Sequence, residues 1–317
     1  MLSALGSVLS VILMIALGFV LAKRGWFGES SGALVSRLVV SIALPSYMIA
    51  NLMGGYDRDK LVSMLPGLPI PFAAMGSCYA AGVGIAALFR LPRGRRGTFS
   101  SMFALSNTIF IGLPVNIVLF GEASLPYVLL YYIANTSLFW TLGVFGMARD
   151  GAVREGRPPP SLVSAEGLRR IFSPPLVGFL AAVAMIVAGI SLPRPVMESC
   201  RALGAMTTPL SMLFIGIVIS RVEWRKLRLE RDLVLVLAGR FLLCPLILAL
   251  MARGAALPAL MKEVFFVQAS MPAMTQTPIL AEAYGGDSEY AGVATSMTTV
   301  LSLATIPFFR ILAGSLF

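Results

Sequence analysis

Histidine is absent from this chain of 317 residues, and acids are scarce, with 15 Asp and Glu against 25 Lys and Arg. Without imidazole there is no histidine proton relay and no His-based zinc site. No acidic pair falls within an apolar run, so the chain lacks ligands for the magnesium-phosphate chemistry of an intramembrane lipid enzyme. Only three cysteines occur. Cys78 and Cys244 sit in apolar runs, leaving Cys200 alone in a short loop, which excludes a disulfide framework. No residue pattern asks for a cofactor or a metal. No soluble output domain of the kind a membrane sensor would carry stands out either.

What is there is hydrophobic: 57 % of residues are apolar and 13 % charged. Apolar runs of roughly 20 residues alternate with short charged loops, as in a polytopic helical membrane protein. Unpaired peptide groups are too costly in hydrocarbon for any spanning structure but helices or a closed barrel. These runs are too long and continuous for barrel strands. Ten spans are expected, near 4–22, 33–53, 62–89, 99–120, 124–147, 175–192, 203–220, 232–252, 257–282 and 290–314. Leu5 to Ala22 reads as the first span rather than a signal peptide, since Lys23 and Arg24 follow it and no positive charge precedes it.

The formal charge of +10 is distributed as a topology signal rather than a nucleic-acid surface. With the N-terminus outside, Lys23, Arg24, the Arg90–Arg96 cluster, the Arg149–Arg170 connector and the Arg221–Arg231 cluster all fall in cytoplasmic loops. Ten spans then return the C-terminus to the outside, and a bacterial inner membrane is the expected location. The turn from Tyr284 to Tyr290 carries no Lys or Arg.

The chain repeats itself. A shift of 164 residues carries Pro45 onto Pro209, Ser106 onto Ser270, Pro114 onto Pro278 and Gly121 onto Gly285. Five spans in each half is an odd number, so the second half enters the membrane inverted. The expected organisation is a first repeat over 1–147, a cytoplasmic linker over 148–173 and a second repeat over 174–317. Arg157–Pro158–Pro159–Pro160 breaks any helix in the linker, and Leu162–Phe172 fits a short interfacial amphipathic helix.

Two of the matched runs, Ser106 to Pro114 and Gln268 to Pro278, are spans interrupted by polar residues and proline. Such pairs are the best sequence pointer to a transporter's substrate site. Ser106, Asn107, Thr108, Thr275, Gln276 and Thr277 are the nearby polar side chains, free to cap broken backbone or to bind a carboxylate. Pro114 and Pro278 withhold the donor that would continue the helix. Asn135 and Thr136 lie midway along the fifth span, with Tyr131 and Tyr132 as a candidate aromatic wall. Pro45, Tyr47 and Asn51 are candidates from the second span. Arg240 is the one charge well inside a span, and it can neutralise an anion, meet helix carbonyls or snorkel to the interface.

The run Ser106–Asn107–Thr108–Ile109–Phe110–Ile111–Gly112–Leu113–Pro114 with Gly121–Glu122 resembles the fourth-span motif of the auxin efflux carrier family. Met271–Pro272, Ile279–Leu280–Ala281, Tyr284–Gly285, Leu301–Ser302 and Pro307 resemble its ninth and tenth spans. The resemblance implies a secondary carrier of a small organic anion, malonate-like or auxin-like. It also implies spans four and nine crossing at mid-membrane, a mobile transport half moving against spans one, two, six and seven, and a homodimer. A sodium-coupled symporter of the bile-acid carrier type is the alternative. The coupling ion stays open between proton and sodium, and an uncoupled anion driven by the membrane potential is equally compatible.

Overall fold

A computed structural model describes residues 2–28, 30–156, 158, 174–221 and 230–317, with side chains described from Leu13 onward. The described residues are helical, apart from loops and one isolated antiparallel bridge between Ser106 and Ala273. Among the described residues six helices are long and apolar enough to cross a membrane: α2 (Ser31–Gly55), α3 (Arg58–Leu88), α6 (Glu122–Arg154), α8 (Arg194–Ser220), α9 (Arg231–Arg253) and α12 (Ser288–Leu316). The shorter helices are α1 (Leu2–Lys23), α4 (Arg96–Ala104), α5 (Thr108–Phe120), α7 (Pro174–Val187), α10 (Ala259–Ala269) and α11 (Thr277–Ala283). The expected amphipathic helix over Leu162–Phe172 lies outside the described residues.

Local chemistry sets several helix starts. Asp57 precedes α3 and accepts from the Lys60 N–H at 2.8 Å, and Asp287 does the same for α12 at the Tyr290 N–H, 3.0 Å away. The start of α4 is capped from outside. The Asp150 carboxylate of α6 accepts from the N–H groups of Gly97 and Thr98 at 2.9 and 2.7 Å, and from the Thr98 hydroxyl at 2.9 Å.

Proline explains most of the irregular turns. Widened π turns occupy Val39–Ala43, Thr108–Gly112 and Gly239–Leu243, and each is followed two residues on by Pro45, Pro114 or Pro245. A proline ring collides with the carbonyl four residues back and offers it no N–H. In all three places that carbonyl lies in the middle of the widened turn, where an extra residue per turn relieves the collision. The fourth π turn, Phe139–Gly143, has no proline after it. Side chains meet its carbonyls instead: Tyr79 Oη donates to Leu142 O at 2.8 Å and Ser101 Oγ to Gly143 O at 3.3 Å.

The chain divides into two compact units that cut across the two sequence halves. The first comprises Met1–Pro66, Leu113–Leu129 and Phe172–Arg221. Within it α1 lies along the second half of α8, and α7 lies along Leu44–Gly55 of α2. The first contact is close because Gly18 and Gly216 leave no side chain between the backbones. A Cβ on Gly216 would stand 2.3 Å from Ile15 O. The second unit comprises Gly67–Gly112, Leu130–Ile171 and Val222–Phe317. It holds α4 against α3 and α6, α10 against α9 and α12, and α11 against α12.

Candidate functional site

Both interrupted runs are interrupted in the structure. Residues 105–107 separate α4 from α5, and residues 270–276 separate α10 from α11. The second break is longer for a local reason. Pro272 lacks an N–H and biases Met271 away from helix, so the backbone leaves the helix early. In the first run proline comes later, at Pro114, and the widened turn absorbs it.

The two breaks meet inside the second unit. Ser106 and Ala273 form the antiparallel bridge, and the Asn107 N–H donates to Pro272 O at 2.8 Å. Buried backbone groups of this kind need partners, and side chains supply the rest. Asn135 holds Ser106 at two points: the Ser106 N–H donates to its Oδ1 at 3.0 Å, and its Nδ2 donates to Ser106 O at 2.9 Å. The Ala273 N–H donates to Thr298 Oγ1 at 3.2 Å. Gln268 Nε2 donates to Thr108 O at 3.3 Å, while its Oε1 is buried without a hydrogen-bond partner. Gly112 makes that approach feasible, since a Cβ there would fall 2.1 Å from Gln268 Oε1.

Asn107 caps α5. Its Oδ1 accepts from the Phe110 N–H at 3.1 Å, and its carbonyl accepts the π-type bond from the Gly112 N–H at 2.9 Å. Its Nδ2 lies 3.5 Å from Thr275 Oγ1. Ser106, Asn107 and Thr108 are buried, whereas Met274, Thr275, Gln276 and Pro278 are half-buried. The second break therefore supplies the accessible rim, and the first supplies a capped helix N-terminus, which favours negative charge.

Arg240 sits at the opposite polarity. The guanidinium is fully buried and donates to two carbonyls at the C-terminal ends of the leading half-helices. Nη1 reaches Phe103 O of α4 at 3.3 Å, and Nη2 reaches Ala269 O of α10 at 2.6 Å. Those ends carry the negative pole of each helix, so one cation serves both. Cys244 Sγ also donates to Phe103 O, at 3.2 Å. Of the three roles open to Arg240 from sequence, the contact seen is with helix carbonyls.

The family follows from the comparison with known sequences. The profile of the family described as "Membrane transport protein" matches residues 3–310. The chain belongs to that family. This membrane transport protein is 28 % identical over 309 residues to an uncharacterized transporter of Methanothermobacter thermautotrophicus, covering 96 % of this chain and 97 % of the relative. It is 23 % identical over 312 residues to an uncharacterized transporter of Methanocaldococcus jannaschii, covering 94 % and 95 %. It is 24 % identical over 314 residues to a protein of Rhizobium meliloti named "Putative malonate transporter", covering 95 % and 93 %. The auxin-efflux-carrier resemblance read from the motifs agrees with this assignment.

Of the residues singled out in the transporter's sequence, Ser106, Asn107, Thr108, Asn135, Thr275, Gln276, Pro278 and Arg240 all belong to the second unit, and Tyr47 and Pro114 to the first. Tyr131 is fully buried, its ring 5.9 Å from that of Phe265. Tyr47 Oη and Asn51 Nδ2 both donate to the Glu122 carboxylate, forming a separate polar cluster within the first unit. Sequence reading passed over Gln268 and Thr298. The signal for Thr298 was present in the buried hydroxyls Thr295, Thr298, Thr299 and Ser302, which recur at helical spacing along one face of α12.

An ionic cluster gathers helix ends of the second unit. Arg95 pairs with Asp287 at 2.8 Å and Asp232 at 3.2 Å, stacks 4.5 Å over the Tyr290 ring, and Arg154 pairs with Asp287 at 3.5 Å. Burial alone would push the Asp287 carboxyl up. The Tyr290 N–H and the Arg95 and Arg154 cations outweigh it and hold the carboxyl below its ordinary 3.8.

Proposed function

We propose that this protein is a secondary transporter that carries a small organic anion, a mono- or dicarboxylate, by alternating access at the paired helix breaks. The observation that carries the reading is the junction itself. Two interrupted helices from corresponding places in the two halves bond through extended backbone beside Asn107, Thr275 and Gln276. Irregular backbone at membrane depth is tolerated only where protein or a water-filled cavity satisfies it. A capped helix N-terminus with amide and hydroxyl groups around it suits a carboxylate without a fixed positive charge. The malonate named for the Rhizobium meliloti relative makes a dicarboxylate the first substrate to try.

The ten-span architecture with two inverted five-helix repeats is part of the proposal. The pairing of α1 with α8 and of α7 with α2 supports it, because exchanging the halves turns first-with-seventh into sixth-with-second. The compact units support an elevator: one contains both breaks, and the other contains the first, second, sixth and seventh spans. N- and C-termini outside an inner membrane, a homodimer, and proton or sodium as coupling ion complete the reading.

The test is melting temperature of the purified protein with malonate, other carboxylates and indole-3-acetate, each in sodium and in potassium, alongside uptake into proteoliposomes. A ligand of the folded state stabilises it by mass action. A selective rise with one anion, lost in Asn107→Ala, is the expected result. No rise and no uptake with any carboxylate removes the anion assignment.

A further inference from the structure

We propose that the second unit carries a binding site for the phosphodiester headgroup of an anionic phospholipid, in a cavity between α3, the start of α4 and the end of α6. The cavity measures about 660 Å³ and is lined by three arginines, Arg93, Arg96 and Arg149. That volume lies within the ordinary range of small-molecule sites, roughly 300–1,000 Å³. None of the helix-break residues lines it, so the inference is independent of the proposed function.

The cations are available. Arg93 and Arg149 are exposed and form no ion pair among the described residues. Arg96 is half-buried and uses Nε on Leu91 O at 2.9 Å, which fixes the direction of its guanidinium and leaves the terminal nitrogens. Asp150 is the one acid in the wall, and its carboxylate is already occupied by the Gly97 and Thr98 donors. The cavity thus has an excess of two positive charges, presented as guanidinium forks that match phosphate oxygens.

The rest of the wall decides between a lipid and a soluble phosphate. Val83 on α3 and Val153 on α6 line the cavity and are 49 % and 46 % exposed. Val83 lies in a helix long and apolar enough to cross a membrane, and Val153 lies at the end of another, past the expected span 124–147. The cavity therefore joins a basic lining to exposed valines, Val83 near the end of the expected span 62–89, which suits a headgroup continuing into a glycerol backbone and acyl chains. Basic recesses between membrane helices, beside the loops that carry the positive charge, are where anionic headgroups bind.

The experiment uses the full chain in mild detergent, with phosphatidylglycerol, phosphatidylcholine or soluble glycerol phosphate added, read by melting temperature and by lipid retention in native mass spectrometry. Phosphatidylglycerol is expected to raise the melting temperature above the phosphatidylcholine value and to remain bound. Arg93→Gln/Arg149→Gln is expected to weaken its apparent affinity by at least about tenfold, the effect of losing charge-assisted hydrogen bonds. Arg149→Gln alone, a milder change at an exposed position, is expected to give part of that loss. Arg194→Gln, which removes an equal charge beside Glu198, is expected to give none. Equal shifts with both lipids, or unaltered retention in the double variant, would overturn the site. A shift reproduced in full by glycerol phosphate would overturn the lipid and leave a soluble-phosphate pocket.

Discussion

Asn135 uses both ends of its amide on the backbone of Ser106, at 3.0 and 2.9 Å, and is fully buried while doing so. An alanine there strands the Ser106 N–H, whereas Ser106 O keeps the Thr108 N–H at 2.9 Å, and an unpaired buried group costs about 1–3 kcal/mol. Asn135→Ala is therefore expected to lower the unfolding free energy by roughly 1–3 kcal/mol, read as a fall in melting temperature. Asn135→Asp should be at least as destabilising as the alanine, because an ionised acid accepts from Ser106 N–H but cannot donate to Ser106 O and buries an unpaired charge beside it. A wild-type melting temperature in Asn135→Ala would show that the clamp carries no weight. Arg240 is the second residue of this kind, since both of its contacts close helix ends rather than face an open site. Arg240→Gln is expected to cost about 3 kcal/mol or more, as two charge-assisted bonds are lost. Arg240→Lys should recover part of that by keeping a cation beside both carbonyls. Equal melting temperatures for the wild type and Arg240→Gln would reject the helix-end role.

Among elements, the breaks show how much of the fold was legible in the sequence and where legibility stopped. Pro114 and Pro278 announce a missing donor locally, yet both lie within the helices that follow the breaks at 105–107 and 270–276 rather than in the breaks themselves. The unequal outcome was not visible. Pro114 is absorbed by a widened turn with no further loss of helix, whereas Pro272 opens a seven-residue break from 270 to 276. Whether a proline widens a turn or ends a helix depends on which groups stand ready to take the freed carbonyls and amides, here Asn135, Gln268 and Thr298. Those partners are tens of residues away along the chain, so a local reading cannot find them. Close helix contacts hide in the same way. Gly18 and Gly216 look like two glycines among thirty, yet a Cβ on either would press on the other helix's backbone, at 2.5 Å from Leu213 O and 2.3 Å from Ile15 O. Gly216→Val is expected to separate α1 from α8 and to lower stability by about 1–3 kcal/mol, the usual cost of overpacking. Gly292→Val, placed where nothing lies within 4 Å of a new Cβ, is the control with little expected effect. Matching melting temperatures for the two variants would refute the close contact.

At the scale of the whole molecule, the two halves seen in the sequence and the two compact units seen in space are different partitions of one chain. A repeat is a relation between segments, and the 164-residue offset that carries Pro45 onto Pro209 and Pro114 onto Pro278 can be read from the sequence alone. Compactness depends on which segments touch, so each unit draws from both halves. In the second unit the helix ends are joined by Arg95, which ties the turn before α4 to the first turn of α9 through Asp232 and to the start of α12 through Asp287. Arg154 brings in the end of α6. This cluster makes stability depend on acid. The folded Asp287 carboxyl titrates below its ordinary 3.8, so its contribution is complete above about pH 4–5. It is lost as pH falls through the depressed folded value, when protonation removes the charge that Arg95 and Arg154 face. Melting temperature is therefore expected to drop as pH goes from about 5 to 3. In Asp287→Asn the melting temperature at pH 6 should lie below wild type and change less on acidification, because the linked proton is gone. High salt should shrink the wild-type drop, since the groups are only partly buried and screened at a Debye length of about 10 Å in 0.1 M salt. An acid limb of the same size in Asp287→Asn would place the responsible carboxylate elsewhere and leave the Arg95 cluster a geometric junction without a linked proton.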